Sequence, residues 1–196
     1  MKPGARALGV AESFRAGRST LSGAVVRADR VVDGLAFVTC TVGGTDATEA
    51  VGSLLERLAR EDVRYLLLGA VAPAWYNVLD LTQIHERAGR PVLAVTFEGS
   101  DGGLESGIRE TFSGDELTDR LERYHALPPR RAVDVGEETV YVRTVGLEPD
   151  EAAAVVRAFT PEGGRPEPLR VARLAARAGD EFRREERETA GRRLEE

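Results

Sequence analysis

The chain has 196 residues, 42% of them hydrophobic, with 27 basic residues set against 33 acidic ones for a net charge of −6. That size suits one domain with an ample core, and the acid surplus argues against broad electrostatic binding to nucleic acid while leaving room for a local basic cleft. No apolar run approaches the roughly eighteen residues of a membrane span, and MKPGARALGVAES lacks an apolar signal core, so a cytoplasmic protein is expected.

In chain order, Ala7–Ala11 is the first strand candidate, followed by Glu12, Ser13 and a polar loop from Arg15 to Ser19. Thr20–Arg27 and Val31–Thr41 read as two more strands, and three strands with short links imply an antiparallel meander. Cys40, the single cysteine, excludes disulfide frameworks and multi-cysteine zinc sites and reads as a buried structural thiol. Gly43 and Gly44 break the third strand; without a following P-loop lysine they read as a turn, not a phosphate cradle. Asp46 and Glu49 then have capping-box spacing, ahead of a helix whose apolar face is Val51, Leu54, Leu55 and Leu58.

Tyr65–Leu68 is a short apolar run ending at Gly69, the pattern of a strand buried on both faces. A loop from Gly69 to Asn77 follows, with Asn77 placed to cap a helix through Val78, Leu81, Ile84 and Ala88 that ends at Gly89. Pro91–Phe97 is a second apolar strand, parallel to the first, so the loop lies at the carboxyl end of a parallel pair, where ligands bind. The stretch GSDGGLESG reads as a surface loop, and Ser113 and Glu116 open a helix that stops before Pro128 and Pro129. Val133 and Thr139–Val145 form a hairpin or edge strands, Pro149–Phe159 a short helix, and a last helix starts near Pro168. Beyond Ala178 the chain is almost wholly charged and is expected to be a frayed or disordered tail over 179–196, after one domain over 1–178.

Three antiparallel strands, helix, strand, helix, strand is an order that resembles the ribonuclease H-like fold: an α/β domain with a mixed five-stranded core sheet and flanking helices, here with a C-terminal α+β extension. In that architecture the ends of the first and fourth strands meet, and carboxylates there can share divalent metals for phosphodiester cleavage.

Four stretches carry a closer resemblance: ALGVAES, VGGTDAT, LLLGAVAPAWYNVLD and PEPLRVARLAARA. Together they resemble the archaeal domain of unknown function 99, or uncharacterised protein family 0215, known as the endonuclease dU family and similar to endonuclease V. The composition agrees, since Lys2 is the sole lysine and arginine bias with surplus acid looks like a salt-loving archaeon. The resemblance implies a DNA partner, Mg2+ or Mn2+, and cleavage near a deaminated base such as uracil. This chain departs from the family pattern where paired aspartates become Ala11 and Glu12, where Asp-Gly becomes Gly69 and Ala70, and where a histidine becomes Arg173.

The residues left to carry such chemistry are few, and each has a plainer role open to it. Glu12 and Asp46 are the candidate catalytic and metal-holding carboxylates; Glu12 reads equally as a solvated loop acid and Asp46 as an N-cap. Trp75, Tyr76 and Asn77 are the candidate base-binding residues, with a hydrophobic plug as the alternative for the aromatic pair. Asp80 reads as a partner of the helix dipole. Arg170 and Arg173, with Arg130, Arg131 and Arg165 nearby, are candidate phosphate contacts; Arg173 can anchor phosphate but cannot act as a general base. His85 and His125 have no partner at metal or triad spacing and read as surface residues. The alternative to a nuclease is a member of the same fold that binds nucleic acid or a partner without cutting.

Overall fold

The computed structural model describes residues 1–97 and 102–195. Its centre is one seven-stranded mixed sheet in the order β3-β2-β1-β4-β5-β7-β6. The strands are β1 (Arg6–Ala16), β2 (Arg18–Arg27), β3 (Val32–Thr41), β4 (Val63–Leu68), β5 (Val92–Thr96), β6 (Arg131–Val135) and β7 (Glu138–Val145). β1 pairs antiparallel with β2 and parallel with β4, which in turn runs parallel to β5. The meander, the parallel pair and the five-strand order of the ribonuclease H-like core are all present. The expected C-terminal hairpin is not a separate piece, because β7 pairs antiparallel with β5 and extends the same sheet.

Side-chain alternation sends each central strand into two cores. Leu8, Val10, Leu66, Leu68, Val92 and Ala94 meet α1 (Ala47–Leu58) and α3 (Leu81–Ala88) on one face. Ala7, Leu67, Leu93 and Val95 meet α6 (Pro149–Ala158) and Leu169 of α7 (Glu167–Glu195) on the other. β1 is longer than Ala7–Ala11, reaching Ala16, and a tight turn at Gly17 (φ 60°) replaces the expected polar loop. The segment read as a surface loop falls partly on residues 98–101, outside the described residues, and then enters α4 (Gly102–Thr111), which is followed by α5 (Gly114–His125).

The charged stretch after Ala178 is helical in α7 up to Glu195, where fraying was expected. Its first turns use polar contacts on β2 in place of an apolar stripe: Arg183 donates to Thr20 Oγ1 (2.6 Å), and Asp180, buried, takes the Thr20 hydroxyl. Further on, Arg184 pairs with Glu181 and with Glu188, spacings that support an exposed helix. No helix of the described residues is long and apolar enough to cross a membrane.

β3 has a strand neighbour on one side only. Residues separated by an even number turn their backbone groups to the same edge, and three of these on β3 are taken by side chains. Arg60 donates to the Asp33 carbonyl, Arg57 to the Phe37 carbonyl, and the Thr41 N–H donates to Asp46.

α7 crosses β1 at Gly9, where the two backbones nearly touch: a Cβ on Gly9 would lie 2.2 Å from the carbonyl carbon and oxygen of Pro168 and 2.8 Å from the nitrogen of Leu169. Backbone cannot yield as a flexible side chain does, so Gly9→Ala is expected to cost about 3 kcal/mol or more in urea unfolding, by driving the helix off the sheet. Gly4→Ala, with open space around it, serves as the neutral comparison.

Candidate functional site

The carboxyl ends of β1, β4 and β5 open into a cleft floored by Ala11, Gly69 and Ala70. Glu12 lies at its wall, and Arg165 and Arg173 face it from the approach to α7 and from α7 itself. A second groove shares Gly69, Ala70, Arg165 and Arg173 and runs on past Phe97 to Arg130, so the two form one continuous depression. Arg165 and Arg130 are held flat, the first stacked on Phe97 and the second on Tyr141, each 3.8 Å from the ring centre.

Glu12 points inward. Its Oε2 accepts from the Ser19 hydroxyl (2.8 Å) and from the Ala74 N–H (2.7 Å). Burial raises the pKa of this carboxyl above the usual glutamate value, against the lowering effect of those two donors and of the Arg173 charge. Glu12 is thus neither a solvated loop acid nor an isolated ligand; it ties β1 and β2 to the loop after β4.

That loop carries the oddest backbone in the chain. α2 (Pro73–Tyr76) is a single turn in which Ala74, Trp75 and Tyr76 all have positive φ (51°, 61° and 59°). Such a conformation costs side-chain-bearing residues about 1 to 2 kcal/mol each. The contacts that hold it are explicit: Ala74 N–H on Glu12, the Gly43 N–H donating to the Ala74 carbonyl (2.7 Å), and Leu79 N–H donating to Val71 (2.9 Å). Tyr76 packs edge-on against Phe112 (6.0 Å between centroids) and over Gly107, where a Cβ would meet its hydroxyl at 2.1 Å. Trp75, in contrast, is 52% exposed beside Gly43. The expected aromatic pair therefore divides: Tyr76 is the plug and Trp75 is presented to solvent, two residues past Pro73 of the cleft lining.

Neither expected helix cap, Asn77 on α3 or Asp46 on α1, makes its expected capping bond. Asn77 does not cap α3; Asp80 does, accepting from the Gln83 N–H (2.9 Å), and α3 begins at Leu81. Asn77 is instead fully buried and caps the other helix from a distance, its Oδ1 accepting from the Ala47 N–H at the start of α1 (3.0 Å). Its Nδ2 donates to the Thr41 carbonyl (3.1 Å) and to Asp46 Oδ1 (2.8 Å), which commits the amide to protein partners and takes it out of the cleft. Asp46 in turn makes no cap bond to α1; its carboxylate accepts from the Thr41 N–H and hydroxyl and from Asn77. Burial works to raise its pKa, but those donors outweigh it and hold the carboxyl below the usual aspartate value. Glu49, the other half of the expected capping box, pairs with Arg87 (2.7 Å).

Arg120 is the residue that sequence reasoning missed. It is 2% exposed on α5, stacked on Phe112 (3.8 Å), and donates to the carbonyls of Gly43, Gly44 and Glu116. It pins the glycine turn that holds α2. The available signal was its spacing, since position 120 falls on the same helical stripe as Leu117, Leu121 and Tyr124. Arg170, by contrast, forks onto Glu167 three residues earlier (2.7 and 2.6 Å) and does not line the cleft that Arg173 faces. Cys40 is buried with its thiol pushed up to about 12, burial being the main cause, so it is inert at neutral pH. His85 meets the Arg90 carbonyl (2.8 Å) and His125 meets Glu105 (3.4 Å), both away from the cleft lining.

This donor set does not fit a shared pair of divalent ions. Hard cations need several uncommitted oxygen ligands, yet Asp46 spends both oxygens on Thr41 and Asn77 and Glu12 spends Oε2 on Ser19 and Ala74. Ala11 and Gly69, just beyond the last pair of β1 with β4, offer no side-chain donor, and among the described residues no three His, Cys, Asp or Glu side chains gather at one point.

Asp46→Asn is expected to lower stability by about 2 kcal/mol at pH 7, because charge-assisted bonds are lost and an amide nitrogen faces donors. The depressed pKa sets the sign: the stabilisation is present above the unfolded aspartate value and is lost as pH falls through the lower folded value. Melting curves from pH 7 downward should therefore show the gap between wild type and variant closing only below about pH 4.

Comparison with known proteins places this architecture. The profile of the family described as endonuclease dU matches residues 3–179. The "UPF0215 protein" of Pyrobaculum calidifontis is 35% identical over 177 residues, covering 89% of this chain and 97% of the relative, and that of Thermococcus gammatolerans is 35% identical over 163 residues, covering 83% and 82%. Among solved structures, a protein of unknown function from Archaeoglobus fulgidus superposes with a TM-score of 0.78 at 26% identity over 89% of this chain and 97% of that one. Human ENDOV superposes with a TM-score of 0.59 at 16% identity over 91% and 85%. Endonuclease V of Ciona intestinalis, solved with a 24mer DNA containing an inosine, does so with 0.56 at 12% over 95% and 87%. The chain belongs to the endonuclease dU (UPF0215) family and has the ribonuclease H-like fold of endonuclease V.

Proposed function

We propose that this protein binds DNA across the carboxyl-end cleft, seating the backbone against Arg165 and Arg173 and placing Trp75 against a base. The observation that carries the reading is the pairing of an arginine-walled cleft with a half-exposed tryptophan fixed on a strained turn beside it, in a chain whose overall charge is negative. Backbone strain concentrates where a side chain must be presented in one orientation, and a rigid aromatic ring is the group that stacks on an unpaired or displaced base. Family membership and the DNA complex of the Ciona enzyme support nucleic acid as the ligand class. A deaminated base such as uracil, which pairs weakly when mismatched, is the base easiest to displace toward Trp75.

The reaction associated with the family name, metal-assisted cleavage with Mg2+ or Mn2+, calls on Glu12 and Asp46, of which Asp46 has both oxygens and Glu12 its Oε2 committed to protein donors. The reading is therefore a DNA-recognising member of a nuclease family, with Glu12 and Asp46 shaping the cleft and Arg120 positioning the glycine turn.

Binding of a uracil-mismatched duplex, followed by Trp75 fluorescence and by anisotropy, should quench the tryptophan. Trp75→Ala should weaken the complex about tenfold, the worth of one stacked base. Nicking of the same duplex with Mg2+ or Mn2+, abolished in Glu12→Gln, would replace this reading with metal-assisted endonucleolytic cleavage.

A further inference from the structure

The cleft holds more positive charge than a single carboxylate can balance. Several arginines of this acid-rich chain are neutralised by carboxylates: Arg6 by Asp33, Arg27 by Asp29, Arg60 by Asp62, Arg87 by Glu49 and Glu56, Arg109 by Glu105, Arg170 by Glu167. Arg165 and Arg173 are not. Among the described residues neither guanidinium has a carboxylate within ion-pair distance, yet both line the same depression. They are near enough to repel: burial first, then the charges of Arg173 and Arg177, press the Arg165 pKa below the ordinary arginine value. Arginine remains cationic under such pressure, so two mutually repelling charges line one cleft whose lining, among the described residues, holds one carboxylate, the inward-turned Glu12.

We infer that Arg165 and Arg173 form a phosphate-binding site that takes the place of divalent metal in this cleft, so that a backbone phosphate is held without any cation. The proposal rests on the DNA-binding reading above and names what that reading leaves open, whether a cation is needed where the phosphate sits. The geometry suits it. Arg165 has its guanidinium carbon 3.8 Å over the Phe97 ring, a contact that restrains the charged head at the groove wall. Arg173 comes from α7 on the stripe of Leu169, whose side chain is buried in the cleft wall and sets the helix rotation. Ala11, Gly69 and Ala70 leave the floor without a competing acceptor side chain. A planar guanidinium matches the oxygens of a phosphate with two parallel hydrogen bonds, and unlike a hydrated metal ion it cannot be removed by a chelator.

The test measures anisotropy of a labelled uracil-mismatched duplex over a range of salt, once with EDTA and once with Mg2+, together with melting of the protein in inorganic phosphate. The affinity is expected to agree within about twofold between EDTA and Mg2+. The slope of log K against log salt should fall by about 1 in Arg173→Ala, by about 1 in Arg165→Ala and by about 2 in the double variant, while Arg87→Ala leaves it unchanged. Phosphate should raise the melting temperature of the wild type and of Arg87→Ala but not of the double variant. Binding that requires Mg2+, or a double variant with the wild-type slope and the wild-type response to phosphate, overturns the site while leaving DNA binding intact. Protection by phosphate that depends on the two arginines, without any DNA binding, keeps the site and overturns the DNA reading.

Discussion

One buried amide holds this molecule's cleft in shape. Asn77 reaches the end of β3 through Thr41, the start of α1 through Ala47 and the loop carboxylate Asp46, while its own backbone closes the left-handed turn on Pro73. Two segments remote in sequence, 41–47 and 73–77, meet at a side chain with no solvent exposure. A buried amide of this kind must satisfy all its hydrogen-bonding groups or lose a few kcal/mol, so it specifies one arrangement and penalises the alternatives. The strained α2 turn, the exposure of Trp75 and the inward set of Asp46 all follow from that arrangement being the favourable one.

How much of this could be read from the residues alone depended on the kind of interaction involved. The strands β1, β4 and β5 announce themselves as apolar runs because both faces of the sheet are covered, and their order is enough to point to the fold. The capping of α3 by Asp80 rather than Asn77 was hidden because both precede Leu81 and both are good caps; only the backbone path after Tyr76 decides which one sits at the first turn. Asp46 and Glu49 have the spacing of a capping box, but spacing is blind to partners that arrive from Asn77 and Arg87, remote in sequence. The helical continuation of α7 escaped for another reason. It is anchored by Asp180 and Arg183 on Thr20 rather than by apolar burial, and polar anchors leave no periodic trace.

The electrostatics of the cleft run against those of the chain as a whole. The carboxyl-side halves of β1 and β4 converge there, and the loop after β4 presents Trp75 to solvent. At the point of convergence, however, small side chains stand beside two arginines, and the single nearby carboxylate is turned to Ser19 and Ala74. Such a surface attracts anions locally even though the chain as a whole repels them, which favours a ligand that can be reached along one track.

The capped edge of β3 bears on how this chain behaves when crowded. Leu35 and Phe37 are exposed on a ten-residue edge strand without proline or lysine, a combination that invites further strands to add and aggregates to grow. Arg57 and Arg60 occupy the carbonyls of Phe37 and Asp33, and Asp46 occupies the N–H of Thr41, so an incoming strand meets side chains where it needs backbone partners. The same carboxylate that anchors the buried Asn77 amide thus also closes one end of the sheet, so its loss would free an edge N–H and a buried donor together.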